Sequence, residues 1–429
     1  VGESSENNTT ETARVWARID LKAVRHNTRA LLRLLKNGAE LMAVVKAAAY
    51  GHGSEHVAKA ALEAGATRLG VNDVAEGAAL RAAGIVAPIH ILTSCLKEEL
   101  TDGILADLTF AVSCMDEVKA LADRSRALNQ GRRTGTKTKV HLLADTGMGR
   151  SGFSPGEVLT AASWIKEEKR LDLEGIFTHF SSAEEKDEKP TAEQVDLFRE
   201  LVSGCGERGI HFRLRHAANS AGTVFHPKSQ LDLVRCGVLL HGLRGWQAAR
   251  DTLDLLPSLS LHARILHIGR YPPRTTVGYG RLHVCEKESL LATLPVGYCE
   301  GYSRELTGCG HVIIRGVRVP VVGRVSMNQI VADVTALDQS DIGAPEAGEE
   351  ATLIGGAIEN RITVEEVAEN SKTIPYVVTT QMGANVKRVY AGVRTINTVE
   401  NGFEMRTPSV LVEKERITPR KPIQHIASA

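Results

Sequence analysis

The sequence predicts an α/β fold: an N-terminal (β/α)8 TIM-like barrel followed by a smaller, mainly-β C-terminal domain. Three observations point there. Eight short apolar, β-branched runs are spread over roughly 240 residues, stretches of helical period separate them, and the texture changes after about Pro257.

The strand-like runs are Leu41–Ala47, Arg68–Asn72, Ile89–Thr93, Leu108–Ser113, Val140–Asp145, Leu173–Phe180, Arg213–Asn219 and Leu233–Val238. Helical period marks Ser54–Ala64, Asp73–Ala83, Met115–Leu128, Glu157–Lys169 and Thr191–Arg208. Such alternation is the pattern of a closed parallel barrel. Beyond Pro257 helical period largely disappears. Short alternating runs follow at Leu259–His267, Leu290–Val296, His311–Ile314, Val317–Val322, Gln329–Asp333 and Ala351–Ile354, punctuated by Gly and Pro. One helical segment, Thr363–Ser371, interrupts them. The expected division is a disordered polar tail at 1–13, a barrel at 14–256, a mainly-β domain at 257–398, and a basic, Pro-containing tail at 399–429.

Composition excludes several classes of function. The 52 basic and 51 acidic side chains leave a formal charge of +1, so neither nucleic acid nor an anionic membrane is an expected partner. No apolar run approaches the roughly 20 residues of a membrane span. Aromatics are only 4%, so the core must rest on Ala, Val, Leu and Ile. The seven cysteines are odd in number and lack CxxC spacing, which supports neither a disulfide framework nor a thiolate zinc site. No metal is expected. A reducing compartment, the cytoplasm, is the simpler reading. Val1–Thr12 lacks the apolar region of a signal peptide. The chain begins with Val, so export after removal of a leader stays open as the alternative.

One residue breaks the apolar pattern of the first barrel strand. Lys46 stands in Ala43-Val44-Val45-Lys46-Ala47. Burial disfavours an ammonium charge, lowers its pKa and suits it to a Schiff-base nucleophile. The run continues into Ala49-Tyr50-Gly51-His52-Gly53, a glycine-rich turn at the C-terminal rim, where barrel active sites lie. Taken alone, such a lysine is more often one that snorkels to solvent.

The segment Ala43–Gly53, AVVKAAAYGHG, resembles the pyridoxal-phosphate (PLP) lysine motif of the alanine racemase family, the fold-type III PLP-dependent amino-acid racemases. The resemblance runs from Val15 to about Gly392. It implies that Lys46 holds PLP and that Tyr50 contacts its phosphate. Asp145–Arg150, DTGMGR, resembles a strand-end motif whose arginine, here Arg150, orients the ring hydroxyl and the substrate carboxylate. Thr178-His179-Phe180 resembles the THF motif, and His216–Ser220, HAANS, a phosphate-binding strand end with Asn219 and Ser220. Arg235-Cys236-Gly237 resembles an RxG motif. Its arginine faces the pyridine nitrogen, and the backbone after it, at Gly237 and Val238, contacts phosphate. Tyr279-Gly280 resembles the motif of the second base. Pro295–Tyr298 and Gly323–Met327 match two β-domain motifs, and Thr373–Tyr376 resembles the segment whose tyrosine narrows the substrate entrance. Each string alone is weak. A lone His179 reads as a core histidine, a lone Arg235 as a salt-bridge partner and a lone Tyr298 as packing. Their common order carries the resemblance.

The resemblance implies interconversion of L- and D-alanine, supplying D-alanine for cell-wall peptidoglycan. Racemisation needs a base on each face of Cα. Lys46 would serve one face and Tyr279, from a neighbouring subunit, the other, so a homodimer is implied. His179 and Arg235 would poise the tyrosine, whose free pKa is about 10. Arg235 cannot accept the ring-nitrogen proton, which would suppress transamination. Tyr298, Met327 and Asn328 would lie near the substrate.

The pattern is broken at three places. Many family members have a CO2-carbamylated lysine where this chain has Leu143, which leaves Arg150 to a chloride or another side chain. The aspartate usual after the methionine is Asn328, and Ala48 stands where an aspartate is common. Substrate identity is therefore less fixed than the reaction. The alternatives are a serine or broad-specificity racemase, a non-catalytic PLP-binding or homeostasis protein, and a decarboxylase of the same fold type. The second domain argues against the non-catalytic protein. The lack of an acidic partner motif for the ring nitrogen argues against the decarboxylase.

Overall fold

The computed structural model describes residues 12–129, 137–245 and 253–393. The expected tails lie outside these residues, except for positions 12 and 13.

The first strand, β1 (Val15–Asp20), is not part of the barrel. The barrel strands are β2 (Glu40–Val44), β3 (Arg68–Val71), β4 (Ile89–Ile91), β5 (Phe110–Val112), β6 (Thr138–Leu143), β7 (Leu171–Phe177), β8 (Leu214–His216) and β9 (Leu233–Cys236). They pair in parallel as two groups, β4-β3-β2-β9 and β5-β6-β7-β8. A parallel bridge between His90 and Thr109 joins β4 to the approach of β5. The Arg235 N–H donates to Ala218 O at 3.0 Å and the Asp232 N–H to Arg215 O at 3.1 Å, closing the ring between β8 and β9. β3 and β9 are buried along their whole length, as parallel strands covered on both faces must be.

The expected helices form at Ser54–Glu63, Val74–Ala82, Met115–Asn129, Pro155–Glu167 and Lys189–Glu207. Pro155 occupies the first turn of its helix, where a missing N–H does no harm, and Ser154 with Glu157 closes a capping box. An unpredicted helix, Leu21–Leu34, packs beside Ser54–Glu63. Its fully buried Asn27 donates to Leu240 O at 3.0 Å and Leu256 O at 2.8 Å, and accepts from the Leu256 N–H at 2.7 Å. That amide ties the start of the chain to the segment leaving β9.

The second layer is a nine-stranded sheet. Its strands are β10 (Leu259–Arg264), β11 (His267–Tyr271), β14 (Ser289–Leu294), β15 (His311–Ile314), β16 (Val317–Val322), β17 (Ile330–Asp333), β18 (Glu350–Ile354), β19 (Lys387–Ala391) and β1. A short hairpin, β12 (Thr276–Val277) and β13 (His283–Val284), stands apart. The run read as Leu259–His267 divides into β10 and the start of β11. β1 pairs antiparallel with β10 and parallel with β19. The N-terminal strand, assigned above to the barrel segment, thus completes the sheet of the second domain.

The barrel interior departs from the usual aliphatic layers. Arg68, His90, His141, Glu174, His216 and Arg235 are all buried in it. Small apolar groups flank them: Met42, Leu214 and Leu233 in one, Ala111, Leu143 and Phe177 in another.

Candidate active site

β2 ends at Val44, so Lys46 does not lie within the strand, as expected above, but opens the loop after it. The next four residues are left-handed: Ala47, Ala48, Ala49 and Tyr50 have φ of 51°, 52°, 51° and 55°. A left-handed turn costs an L-residue roughly 1–2 kcal/mol per position. Ala48 gains none of the local hydrogen bonding that lets Asp tolerate this region. Such strain persists only where the surroundings over-determine it. Here the Val45 N–H donates to Gly70 O at 2.8 Å, Ser54 Oγ to Val45 O at 2.9 Å, and the Gly53 N–H to Ala48 O at 2.7 Å. The Ala47 N–H donates to Glu76 Oε1 at 2.6 Å. Gly51, at φ 86°, ends the turn, and any Cβ there would lie 2.0 Å from Thr379 O. The helix Pro375–Thr380 therefore seats directly on the turn.

Lys46 and Tyr50 both face a cavity of about 400 Å³. Arg150, His179, Asn219, Ser220, Arg235, Gly237, Val238 and Tyr376 line the same cavity. Ten of the fourteen expected site residues thus converge. Burial lowers the Lys46 pKa, Arg150 adds to that, and Glu76 opposes it. Burial raises Tyr50 to about 12, so its hydroxyl stays protonated as a donor. Gly237 lets Tyr50 approach, since a Cβ at Gly237 would lie 2.4 Å from Tyr50 Oη. The Gly237 N–H donates to Ser220 Oγ at 3.1 Å, and the Ser220 hydroxyl also lies against the Cys236 thiol. Asn219 instead caps the helix Ser220–Phe225, accepting from the Gly222 N–H at 2.8 Å.

Arg235 heads a buried chain whose proton positions are forced. A guanidinium only donates, so His216 Nδ1 accepts from Arg235 Nη1 at 3.0 Å. His216 Nε2 then donates to His141 Nδ1 at 2.7 Å, and His141 Nε2 to Glu174 Oε2 at 2.9 Å. Arg68 and the partly exposed Arg213 pair with Glu174. Burial holds His141 at about 3 and His216 well below its ordinary value, so both stay neutral. Arg235 Nη2 donates to Thr178 O at 2.8 Å, Ala217 O at 2.9 Å and His179 Nδ1 at 3.3 Å. Burial lowers Arg235 to about 10, still charged at neutral pH. His179, held at about 3 by burial and by Arg235, is neutral and carries its proton on Nε2. His90, His141 and Glu174 stand close enough together to hold a metal ion. Arg68 Nη1 already fills that space, 3.2 Å from His90 Nε2 and 3.3 Å from Glu174 Oε2.

Four expected residues lie elsewhere. Tyr279 is 72% exposed, Met327 55% and Tyr298 45%. None lines the cavity of its own chain. All three belong to connected turns: the Tyr298 N–H donates to Ser326 O and the Cys299 N–H to Met327 O, while Gly278 and Gly280, flanking Tyr279, pack on Arg324. Asn328 is not aimed at a substrate. Its Nδ2 donates to Glu300 Oε1 at 2.9 Å, joined there by Asn385 Nδ2 at 2.7 Å. An aspartate at 328 would meet the Glu300 carboxylate, so the substitution suits this neighbourhood.

Sequence reasoning missed some residues. Asp145 accepts from the Gly147, Met148 and Gly149 N–H groups at 2.8–3.1 Å, an Asx turn that presents Arg150. The Asp-x-Gly-x-Gly spacing could have revealed it. Leu143 forms an apolar wall with Ala111 and Phe177. Arg150 makes no hydrogen bond or ion pair within the described residues. The bond from the Ala47 N–H to Glu76 had no local signal, since the two lie 29 residues apart.

Beside the lysine turn, His52 and His241 stack with ring centroids 3.9 Å apart, both fully buried. Burial pulls His52 down to about 4 and lowers His241, with His52 adding to the effect. A histidine near 6.5 in the unfolded chain gives its full stabilisation above that value and loses it as pH falls towards 4. The unfolding midpoint is therefore expected to fall steeply between pH 6.5 and 4. His241→Phe should flatten the slope of unfolding free energy against pH by up to one proton. An unchanged slope in denaturant titrations would show that the pair does not carry the dependence.

Comparison with known proteins gives a consistent picture. The family model "Alanine racemase, N-terminal domain" matches residues 19–245, and "Alanine racemase, C-terminal domain" matches 258–390. The alanine racemase of Desulforamulus reducens is 40% identical over 380 residues, covering 88% of this chain and 99% of that protein. The crystal structure of alanine racemase from D-cycloserine-producing Streptomyces lavendulae is 34% identical with a TM-score of 0.81, over 89% of this chain and 98% of that one. That of Bartonella henselae, with covalently bound pyridoxal phosphate, is 25% identical with a TM-score of 0.77, over 88% and 100%.

Proposed function

The chain belongs to the alanine racemase family, and on that premise we propose that it is a PLP-dependent alanine racemase using Lys46 and Tyr279 as opposed bases. One observation carries the reading. A single cavity joins a lysine of lowered pKa to a fully buried guanidinium.

The cavity's residues fit PLP. Tyr50 Oη and Ser220 Oγ gather beside the Gly237–Val238 backbone, hydroxyl groups suited to a phosphate. Lys46 offers the amine. Arg235 Nε has no acceptor in the described residues, which suits a ring nitrogen that carries no proton. When bound, PLP supplies the electron sink that makes the substrate Cα–H acidic.

The protein's part is to hold and move protons. Lys46, with its ammonium disfavoured by burial, takes or returns a proton on one face of Cα. Tyr279, delivered by a second copy of the chain, does so on the other. The neutral His179, with Nε2–H as donor, would stabilise the tyrosinate. Arg150, with no hydrogen bond or ion pair among the described residues, is available to the substrate carboxylate. The Leu143 wall and Tyr376 favour a small apolar side chain. We also propose a homodimer, since the proposed second base is exposed and does not line its own chain's cavity, and a cytoplasmic location, in keeping with seven free cysteines. No helix among the described residues is long and apolar enough to cross a membrane.

The test is PLP-loaded protein incubated separately with L-alanine, L-serine and L-lysine, with chiral chromatography of the products. Alanine is expected to turn over at least about tenfold faster than the others, a difference one methylene or hydroxyl in a shaped pocket can supply. Faster serine turnover would reassign the substrate, and no turnover of any would sink the racemase reading.

A further inference from the structure

We propose that Glu76 is a positioning residue that latches the left-handed turn after Lys46 and so holds Lys46 and Tyr50 towards the cavity. The inference rests on the reading of Lys46 as the PLP-bearing lysine.

Glu76 stands in the first turn of the helix Val74–Ala82, behind the N-cap Asp73. The helix itself is capped by Asp73, which accepts from the Glu76 N–H at 2.9 Å. Glu76 Oε2 accepts from the Asn72 N–H at 2.7 Å, in the loop just before that cap. The other oxygen is not needed for that task. It reaches across to the next barrel loop and accepts from the Ala47 N–H at 2.6 Å.

That N–H is the first of the four left-handed positions. The turn's own hydrogen bonds leave it unused: the Ala49 N–H goes to Val45 O, Gly51 to Ala47 O and Gly53 to Ala48 O. These internal bonds form only once the strained conformation exists. The Glu76 bond comes from outside and fixes where the strain begins, one residue after Lys46. Asn72 and Ala47 follow adjacent strands, β3 and β2. The carboxylate therefore ties two neighbouring rim loops together as a charge-assisted bridge.

Glu76→Gln separates the latch from the local bond. Glutamine keeps one acceptor oxygen for the Asn72 N–H, but its NH2 would then face the Ala47 N–H, a second donor. The readouts are hydrogen exchange of the peptide spanning 46–53 in the purified protein, PLP affinity by equilibrium dialysis, and racemase KM and kcat. Glu76→Gln is expected to speed exchange in that peptide at least tenfold and to weaken PLP binding by about tenfold, or about 1.4 kcal/mol. The alanine KM should move little. Ala48→Gly, which relieves left-handed strain, should recover most of the lost PLP affinity in the Glu76→Gln protein and change little in the native one.

Native exchange and PLP affinity in Glu76→Gln would overturn the latch. So would a loss that Ala48→Gly fails to recover, which would reduce Glu76 to a brace of its own loop at Asn72. If the native protein holds no PLP, the functional reading fails instead, and exchange in the turn still decides the latch.

Discussion

Lys46→Ala and Tyr279→Phe are each expected to slow alanine racemisation by at least about a thousandfold, and a mixture of the two inactive proteins is expected to recover about a quarter of native activity. On the proposed mechanism, the single losses follow from removing one of two bases on opposite faces of the same carbon. The recovery follows from where the structure puts them. Lys46 lines the cavity, whereas Tyr279 stands 72% exposed on a turn of the second domain. A tyrosine acting as a base needs a donor to steady its charge, and the neutral His179 offers one only inside the cavity. In a two-fold dimer that shares its sites, each hybrid carries one site with both bases and one with neither. Random mixing makes half of the dimers hybrid, hence the quarter. Lys46→Ala should also lose the PLP absorbance band, which Tyr279→Phe should keep. Mixing without recovery, or full activity in a monomer by analytical ultracentrifugation, would rule out shared sites.

Much of this site was legible because its residues carry chemistry at short spacing. Lys46 stood out as a charge in an apolar run, and glycines marked the rims of the strands. The departures were harder to read. Asn328 looked like a lost charge until its Nδ2 was found on Glu300. β1 and β19 pair with each other across almost the whole chain, and no local pattern announces such a partner. The polar axis of the barrel is built from single residues of β3, β4, β6, β7, β8 and β9. Each looks like a strand-end or core histidine, glutamate or arginine by itself. Only closure of the barrel brings them into one hydrogen-bonded chain. The strained turn was also hidden, because AAAY is a good helical sequence that tertiary contacts bend the other way.

Arg235→Glu is expected to lower racemisation at least about a hundredfold, to introduce measurable transamination, and to destabilise the fold by about 3–5 kcal/mol. The first two effects arise in the cavity. A carboxylate at this position would favour a protonated ring nitrogen on bound PLP, whereas the Arg235 guanidinium cannot accept that proton; the chemistry PLP supplies would then shift towards transamination. The third arises along the buried axis. Arg235 can only donate, and that polarity runs through His216 and His141 to end on the acceptor Glu174. A carboxylate at the head can only accept. His216 and His141 would each have to exchange tautomer, and His141 Nε2 would then present a lone pair to the Glu174 carboxylate. The alternative is to protonate a fully buried histidine whose pKa burial holds at about 3 or lower. Glu174→Gln supplies an N–H at the far end and suits the reversed direction. The double variant Arg235→Glu/Glu174→Gln is thus expected to be more stable than Arg235→Glu alone, although Glu174→Gln by itself should destabilise by weakening the pairs with Arg68 and Arg213. Urea unfolding of the four proteins measures this coupling. Additive losses would mean that the histidine chain does not transmit polarity, and unchanged racemisation without transamination would remove Arg235 from control of the reaction.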